Sequence, residues 1–169
     1  KENNPDFVVI GEATNLHLNR GGRGRAEVVV ETIGKSAHSS SPEVGECAVH
    51  AMMRLINAIE EIPPLTYPFL GTGSMVLTDI ISSPYPGSSV IPNRCRVTYD
   101  RRLIIGETIE SVISEVKKCA QKANIACTVT IVEGQETTYR GYQINAPKFF
   151  PAWILEEDHP LVQRAYQAL

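Results

Sequence analysis

From Arg25 to Ile33 the apolar positions fall on every second residue, Ala26, Val28 and Val30 on one side against Glu27 and Glu31 on the other, which predicts a half-buried strand. The period then changes. Val44, Ala48, Ala51, Leu55, Ala58, Ile59 and Ile62 recur at helical spacing, with Ser41 placed to cap and Pro42 at the first helical position, so a helix is expected from about Pro42 to Ile62. Pro63-Pro64 stops it by removing backbone donors. After a loop with Pro68, Gly71 and Gly73, the β-branched run Ser74 to Ile81 predicts a second strand, ended by Pro84, Pro86 and Gly87. A third, Arg94 to Leu103, alternates Cys95, Val97 and Tyr99 with Arg94, Arg96, Thr98 and Asp100. Thr108 can cap a second helix whose stripe is Ile109, Val112, Ile113, Val116, Ala120 and Ala123, with Lys117, Lys118 and Lys122 toward its negative end and Asn124 as terminator. Cys127, Val129 and Ile131 then alternate with Thr128 and Thr130 in a fourth strand. The order β, α, β, β, α, β predicts an α+β, ferredoxin-like sandwich: a four-stranded antiparallel sheet with both helices on one face. Its edge strands remain open to a second copy of the chain.

The flanks read differently. Phe7-Val8-Val9-Ile10 has the composition of a buried strand with no preceding partner, and Pro160 to Leu169 is an amphipathic pattern without a stop signal, so a segment of a longer protein is expected. Tyr139 to Trp153, aromatic and Pro-containing, suits an extended return to another domain.

Composition removes whole classes of partner. With 16 Lys+Arg against 19 Asp+Glu, the formal charge of -3 lacks the basic field that nucleic acid or an anionic membrane would favour. RNA binding through the same topology would also need a basic-aromatic strand motif that is missing. The apolar stretches are only a few residues long and Lys1 to Asp6 has no signal core, so no membrane span is expected and the cytoplasm is the default compartment. Cys47, Cys95, Cys119 and Cys127 form no C-x-x-C pair and read as reduced thiols of the core in preference to a disulfide framework.

Several chemical motifs fail on context. Gly34-Lys35-Ser36 lacks the leading Gly of a phosphate loop, Val29 standing there inside a strand. Gly22-Arg23-Gly24 precedes a strand and has Glu27 where a dinucleotide fingerprint needs its third Gly. No H-E-x-x-H or G-x-S-x-G occurs, and Ser39-Ser40-Ser41 reads as loop and helix cap, not as a nucleophile. Two constellations survive. Glu12, in Gly11-Glu12-Ala13-Thr14-Asn15, would stand at a strand's carboxyl end, where a carboxylate can bind a metal. His38 stands in a loop of small residues between a strand and a helix. A solvated carboxylate and a loop imidazole bonded to nearby hydroxyls are the bland alternatives, and spacing leaves both open.

Gly11-Glu12-Ala13-Thr14, the run Gly24-Arg25-Ala26-Glu27-Val28-Val29-Val30-Glu31-Thr32-Ile33-Gly34-Lys35-Ser36-Ala37-His38-Ser39-Ser40-Ser41-Pro42, and Gly45-Glu46-Cys47-Ala48 together resemble the zinc aminoacylase and carboxypeptidase G family. That family includes succinyl-diaminopimelate desuccinylase, acetylornithine deacetylase and peptidase T. The resemblance continues through Ser89-Val90-Ile91-Pro92-Asn93-Arg94-Cys95 and Tyr99-Asp100-Arg101-Arg102, and within the family it is nearest to hydrolases assigned to selenium metabolism. It implies a two-domain enzyme: 1–20 a piece of a catalytic domain ending in a metal-ligand turn, 21–136 a lid and dimerisation domain, and 137–169 a return into the catalytic domain. Zinc is the implied metal, two ions in the full-length parent, with cobalt or manganese as substitutes and none held by this segment alone.

By the same resemblance Glu12 is a ligand of one zinc. His38 reaches across a homodimer to stabilise the oxyanion formed when metal-bound water attacks an amide carbonyl. Arg102 pairs with the carboxylate of a small N-acyl amino acid or dipeptide-like substrate, and Ser89 stands where an Asn commonly reaches that substrate. Ala13 replaces the family's usual Pro and Cys47 its usual Asn. The family's upstream His-x-Asp, paired glutamates and downstream metal His have no counterpart; His17, His50 and His159 do not match them, and His50 reads as a residue of the first helix. The resemblance therefore implies an amide hydrolase of which this chain is the inert lid. The competing class is a stand-alone ferredoxin-like module that dimerises or binds a small ligand without catalysis.

Overall fold

The computed structural model describes residues 6–169. The part of the signal-core expectation that rests on residues 1–5 lies outside them. Two compact units are present, one from Arg23 to Trp153 and one joining the residues up to Gly22 with Ile154–Leu169.

In the larger unit β1 (Gly24–Ile33), β2 (Ser74–Ser83), β3 (Arg94–Leu103) and β4 (Cys127–Ile131) form an antiparallel sheet in the order β4-β1-β3-β2. Val30 lies opposite Val97 on one side and Val129 on the other, so the period-two apolar sets meet on one face. There α1 (Ala48–Glu60) and α2 (Ile109–Lys122) bury Met52, Leu55, Val112 and Val116 against Val28, Val30, Val97 and Tyr99. Each such side chain stabilises the unit by about 1.5–3 kcal/mol. The expected α+β sandwich is the observed one.

Local chemistry explains the boundaries. Thr108 caps α2 through its side chain, which accepts from the Ser111 N–H at 3.2 Å, while the Ser111 hydroxyl accepts from the Thr108 N–H at 2.9 Å. Asn124 ends that helix at φ 52°, in the left-handed region that Asn tolerates. The first helix departs from expectation. Pro42–Val44 is a separate 3-10 turn, Ser41 makes no side-chain cap, and α1 begins only at Ala48. The cause is a backbone exchange, Lys35 N–H to Glu46 C=O and Glu46 N–H to Lys35 C=O, both 2.8 Å, which holds Glu46 extended and interrupts the helical pattern.

A second departure follows β4. Instead of an extended return, β5 (Glu133–Thr137) and β6 (Gln143–Pro147) form a hairpin, and β7 (Phe149–Phe150) then pairs with β1 at Ala26 and Arg25. The hairpin is pinned at its base, where Lys148 N–H donates to Val132 C=O at 2.7 Å and Val132 N–H to Glu27 C=O at 2.9 Å.

In the smaller unit the expected strand at Phe7–Ile10 is not formed, and Val9 is 85% exposed. Apolar composition alone does not make a strand. Its backbone groups need a neighbouring ladder, and none of the described residues supplies one. Further on, α3 (Pro160–Gln167) is capped by His159, whose Nδ1 accepts from the Leu161 N–H at 3.2 Å and whose ring meets Phe7 edge-on. All four cysteines are free thiols, Cys95 buried and the others half-buried. No helix among the described residues is long and apolar enough to cross a membrane.

Candidate functional site

The His38 loop is built by close backbone approach. A Cβ on Gly34 would lie 2.1 Å from the Glu46 carbonyl oxygen, so only Gly allows the exchange between residues 35 and 46. The same loop is sewn to the segment before β3. Gly34 N–H donates to Asn93 C=O at 2.8 Å, Ile91 N–H to Ala37 C=O at 2.9 Å, and Ser39 N–H to Ser89 C=O at 2.9 Å, with His38 bridged to Val90. Two candidate residues far apart in sequence, His38 and Ser89, therefore stand together at one end of the sheet. Both are exposed. Ser89 sits at φ 53°, a conformation in which Asn is at home and Ser is strained. The His38 Nδ1 lies 2.8 Å from Ser40 Oγ and 3.2 Å from Ser40 N.

Arg102 stands at the opposite end. It pairs with Ser74 and with Arg25, whereas the His38 loop leaves the sheet where Ile33 faces Arg94. The eight-residue separation from Arg94 to Arg102 along β3 is about 26 Å at ~3.3 Å per residue. On this face Asp100 anchors two guanidinium groups, Arg25 Nε at 2.6 Å and Arg102 Nε at 3.1 Å. Glu27 takes Arg25 Nη2 at 2.7 Å and Lys148 Nζ at 2.9 Å. The bond to Asp100, helped by the charges of Asp100 and Glu27 and the bond to Glu27, outweighs the loss to desolvation and raises Arg25 above its ordinary range. Arg102 remains half-exposed and touches Asp100 through Nε, so its η nitrogens keep the planar fork suited to a carboxylate.

A third charged group is buried. Arg101, 8% exposed, gives Nε and Nη2 to Glu107 Oε1 at 2.9 and 2.6 Å and Nη1 to Glu115, while Glu107 Oε2 accepts from the Ile104 N–H at 2.7 Å. Burial acts to lower the guanidinium's pKa, but the two carboxylates more than reverse this and hold it above the ordinary range. The period of β3 carried the signal, since Arg101 shares the inward face with Val97, Tyr99 and Leu103. Arg101, Arg102 and Glu107 also border a cavity of about 260 Å³ closed by Pro63, Pro64 and Met75.

Glu12 lies in the smaller unit, exposed, in a turn where its C=O accepts from the Thr14 N–H at 2.9 Å. Among the described residues no three His, Cys, Asp or Glu side chains cluster as metal ligands would. A zinc site takes about three or four protein ligands, so the ligand role expected of Glu12 calls for partners besides it. His50 is exposed on α1 and His159 is spent on a helix cap.

A protein family described as a peptidase dimerisation domain matches residues 20–135. The uncharacterized protein YgeY of Escherichia coli K12 is 34% identical over 172 residues, which cover 98% of this chain and 42% of that protein. An acetylornithine deacetylase of Aliivibrio salmonicida is 28% identical over 123 residues, 64% of this chain and 30% of that protein. Among solved structures, the aminopeptidase PepT of Bacillus cereus superposes with a TM-score of 0.58 over 88% of this chain and 35% of that one, at 16% identity. The M20 family metallo-carboxypeptidase Sso-CP2 of Sulfolobus solfataricus gives 0.57 over 85% and 41%, at 12% identity. At these identities the structural likeness concerns the fold. The chain spans less than half the length of the curated relatives it matches.

Proposed function

The chain belongs to the M20 peptidase dimerisation-domain family, and from that premise we propose that it is the lid of a homodimeric, metal-dependent hydrolase that cleaves an amide bond beside a carboxylate. One observation carries the reading furthest. His38 and Ser89 share one end of the sheet and Arg102 lies at the other, about 26 Å along β3 from Arg94, whereas a dipeptide-like substrate spans only about 7 Å. One copy of the chain cannot offer both ends to one substrate.

A two-fold axis removes the difficulty. Among the described residues β2 is an edge strand, bonded to β3 alone, and it exposes Val76, Ile80 and Ile81. Antiparallel pairing of two β2 edges lays the Ser74 end of one copy beside the Ser83 end of its partner, which brings Arg102 of one toward His38 and Ser89 of the other. In that arrangement Arg102 grips the substrate carboxylate, His38 donates a hydrogen bond to the amide oxygen as it gains charge, and the Ser89 hydroxyl adds a shorter donor.

Glu12 contributes one carboxylate to the metal site, and residues 1–20 and Ile154–Leu169 join a catalytic domain supplied by the rest of the parent; of the stretch 137–169 expected to return there, the part in the β5–β6 arm and β7 belongs with the lid. In its fullest form the proposal is a zinc enzyme of the cytoplasm, grouped with hydrolases of selenium metabolism. The lid alone is inert. The test is N-acyl amino acid hydrolysis by the full-length parent with its zinc content measured. His38→Ala is expected to cost about 10²-fold or more in kcat while zinc stays bound. A parent without metal or hydrolysis would overturn the reading in favour of a dimerising module.

A further inference from the structure

We propose that Ser40 is a positioning residue for His38, fixing which imidazole nitrogen carries the proton; the inference rests on the oxyanion role given to His38 above. A backbone N–H can only donate, so the 3.2 Å contact from Ser40 N makes Nδ1 the lone-pair nitrogen of the ring. The Ser40 hydroxyl, 2.8 Å from the same atom, supplies a second donor. The proton of the neutral ring is then at Nε2, the atom free of protein partners among the described residues.

The geometry is held from the backbone outward. Ser41 N–H donates to His38 C=O at 2.9 Å and closes a turn around Ser40, while Ser39 N–H to Ser89 C=O ties that turn to the neighbouring segment. Ser40 is thereby kept over Nδ1. The alternative tautomer would turn a lone pair toward a developing oxyanion, and repel it; the observed arrangement turns an N–H toward it. A small loop serine, which reads from sequence as filler before a helix, acts as the group that selects a donor over an acceptor at Nε2.

The measurement is the two-bond proton–nitrogen correlation of the His38 ring in the 169-residue chain at alkaline pH, which distinguishes the two neutral tautomers without any metal or substrate. The wild type is expected to show Nε2–H alone, Ser40→Ala, which keeps the backbone donor and loses the hydroxyl, Nε2–H with a measurable minor share of Nδ1–H, and Ser40→Thr the wild-type pattern. In the full-length parent Ser40→Ala should lower kcat several-fold with KM unchanged, short of the His38→Ala loss, and Ser40→Thr should restore it. An Nδ1–H ring in the wild type, or a Ser40→Ala ring identical to the wild type, would overturn the assignment. If His38→Ala itself left hydrolysis intact, the oxyanion role would fall instead, whatever the ring spectra showed.

Discussion

Replacing Tyr99 by Phe should stabilise the domain, and more so as the pH rises. The phenol is 1% exposed and its hydroxyl, buried in the core, has no hydrogen-bond partner among the described residues. An unmet buried hydroxyl costs about 1–3 kcal/mol, so its removal, with the ring left in place, should gain on the order of 1 kcal/mol at neutral pH. Titration adds a second contribution. Burial, and after it the charges of Glu60 and Cys119, push the Tyr99 pKa from 10 up to about 12. The unfolded chain then releases the phenolic proton before the folded one does, so the wild type keeps its full stability below pH 10 and loses it progressively as the pH climbs toward 12. At pH 11 that loss is about 1.4 kcal/mol, an amount the Phe variant does not suffer. Urea denaturation of both proteins at pH 7 and pH 11 measures the two contributions separately. A variant less stable than the wild type at pH 7, or a difference that fails to widen at pH 11, would refute the account of Tyr99.

Arg101→Met or Glu107→Gln breaks a buried ion pair and strands its partner, and each should cost about 3–5 kcal/mol in chemical denaturation; a cost under 1 kcal/mol would mean the network is solvated. Gly34→Ala sets a Cβ against the Glu46 carbonyl and should destabilise by about 1–3 kcal/mol, read as a lower urea midpoint. Ser89→Asn relieves the left-handed backbone at φ 53° and should gain up to about 1 kcal/mol, visible as a raised melting temperature; no gain would mean the turn is held by its bonds to residues 37 and 39 alone.

Where the chain alternates cleanly, as in β1, β3 and β4, sequence and structure agree because a half-buried sheet leaves each residue two choices of face. The same rule puts Arg101 inward beside Tyr99 and Leu103, and its pairing with Glu107 and Glu115, six and fourteen residues on, makes that burial tolerable. The start of α1 was hidden for a different reason. Val44 continues the helical period, but the Lys35–Glu46 exchange is a contact between distant residues that no local pattern records. Phe7–Ile10 failed in the opposite sense, being apolar enough for a strand yet having no ladder beside it. Of the candidate site, the identities of His38, Ser89 and Arg102 were legible as a motif, but their placement at two ends of one sheet follows from the register of β1, β2 and β3.

That placement requires a site shared between two copies, and mixing two inactive parents decides whether one exists. His38→Ala and Arg102→Ala are each expected to abolish hydrolysis in full-length protein. Co-refolded in equal amounts, half the dimers should be mixed, and each mixed dimer holds one site that has lost both residues and one that has lost neither. Roughly a quarter of wild-type activity should return. Two inactive variants that stay inactive when mixed, in dimers shown to exchange, would contradict a site built from both copies.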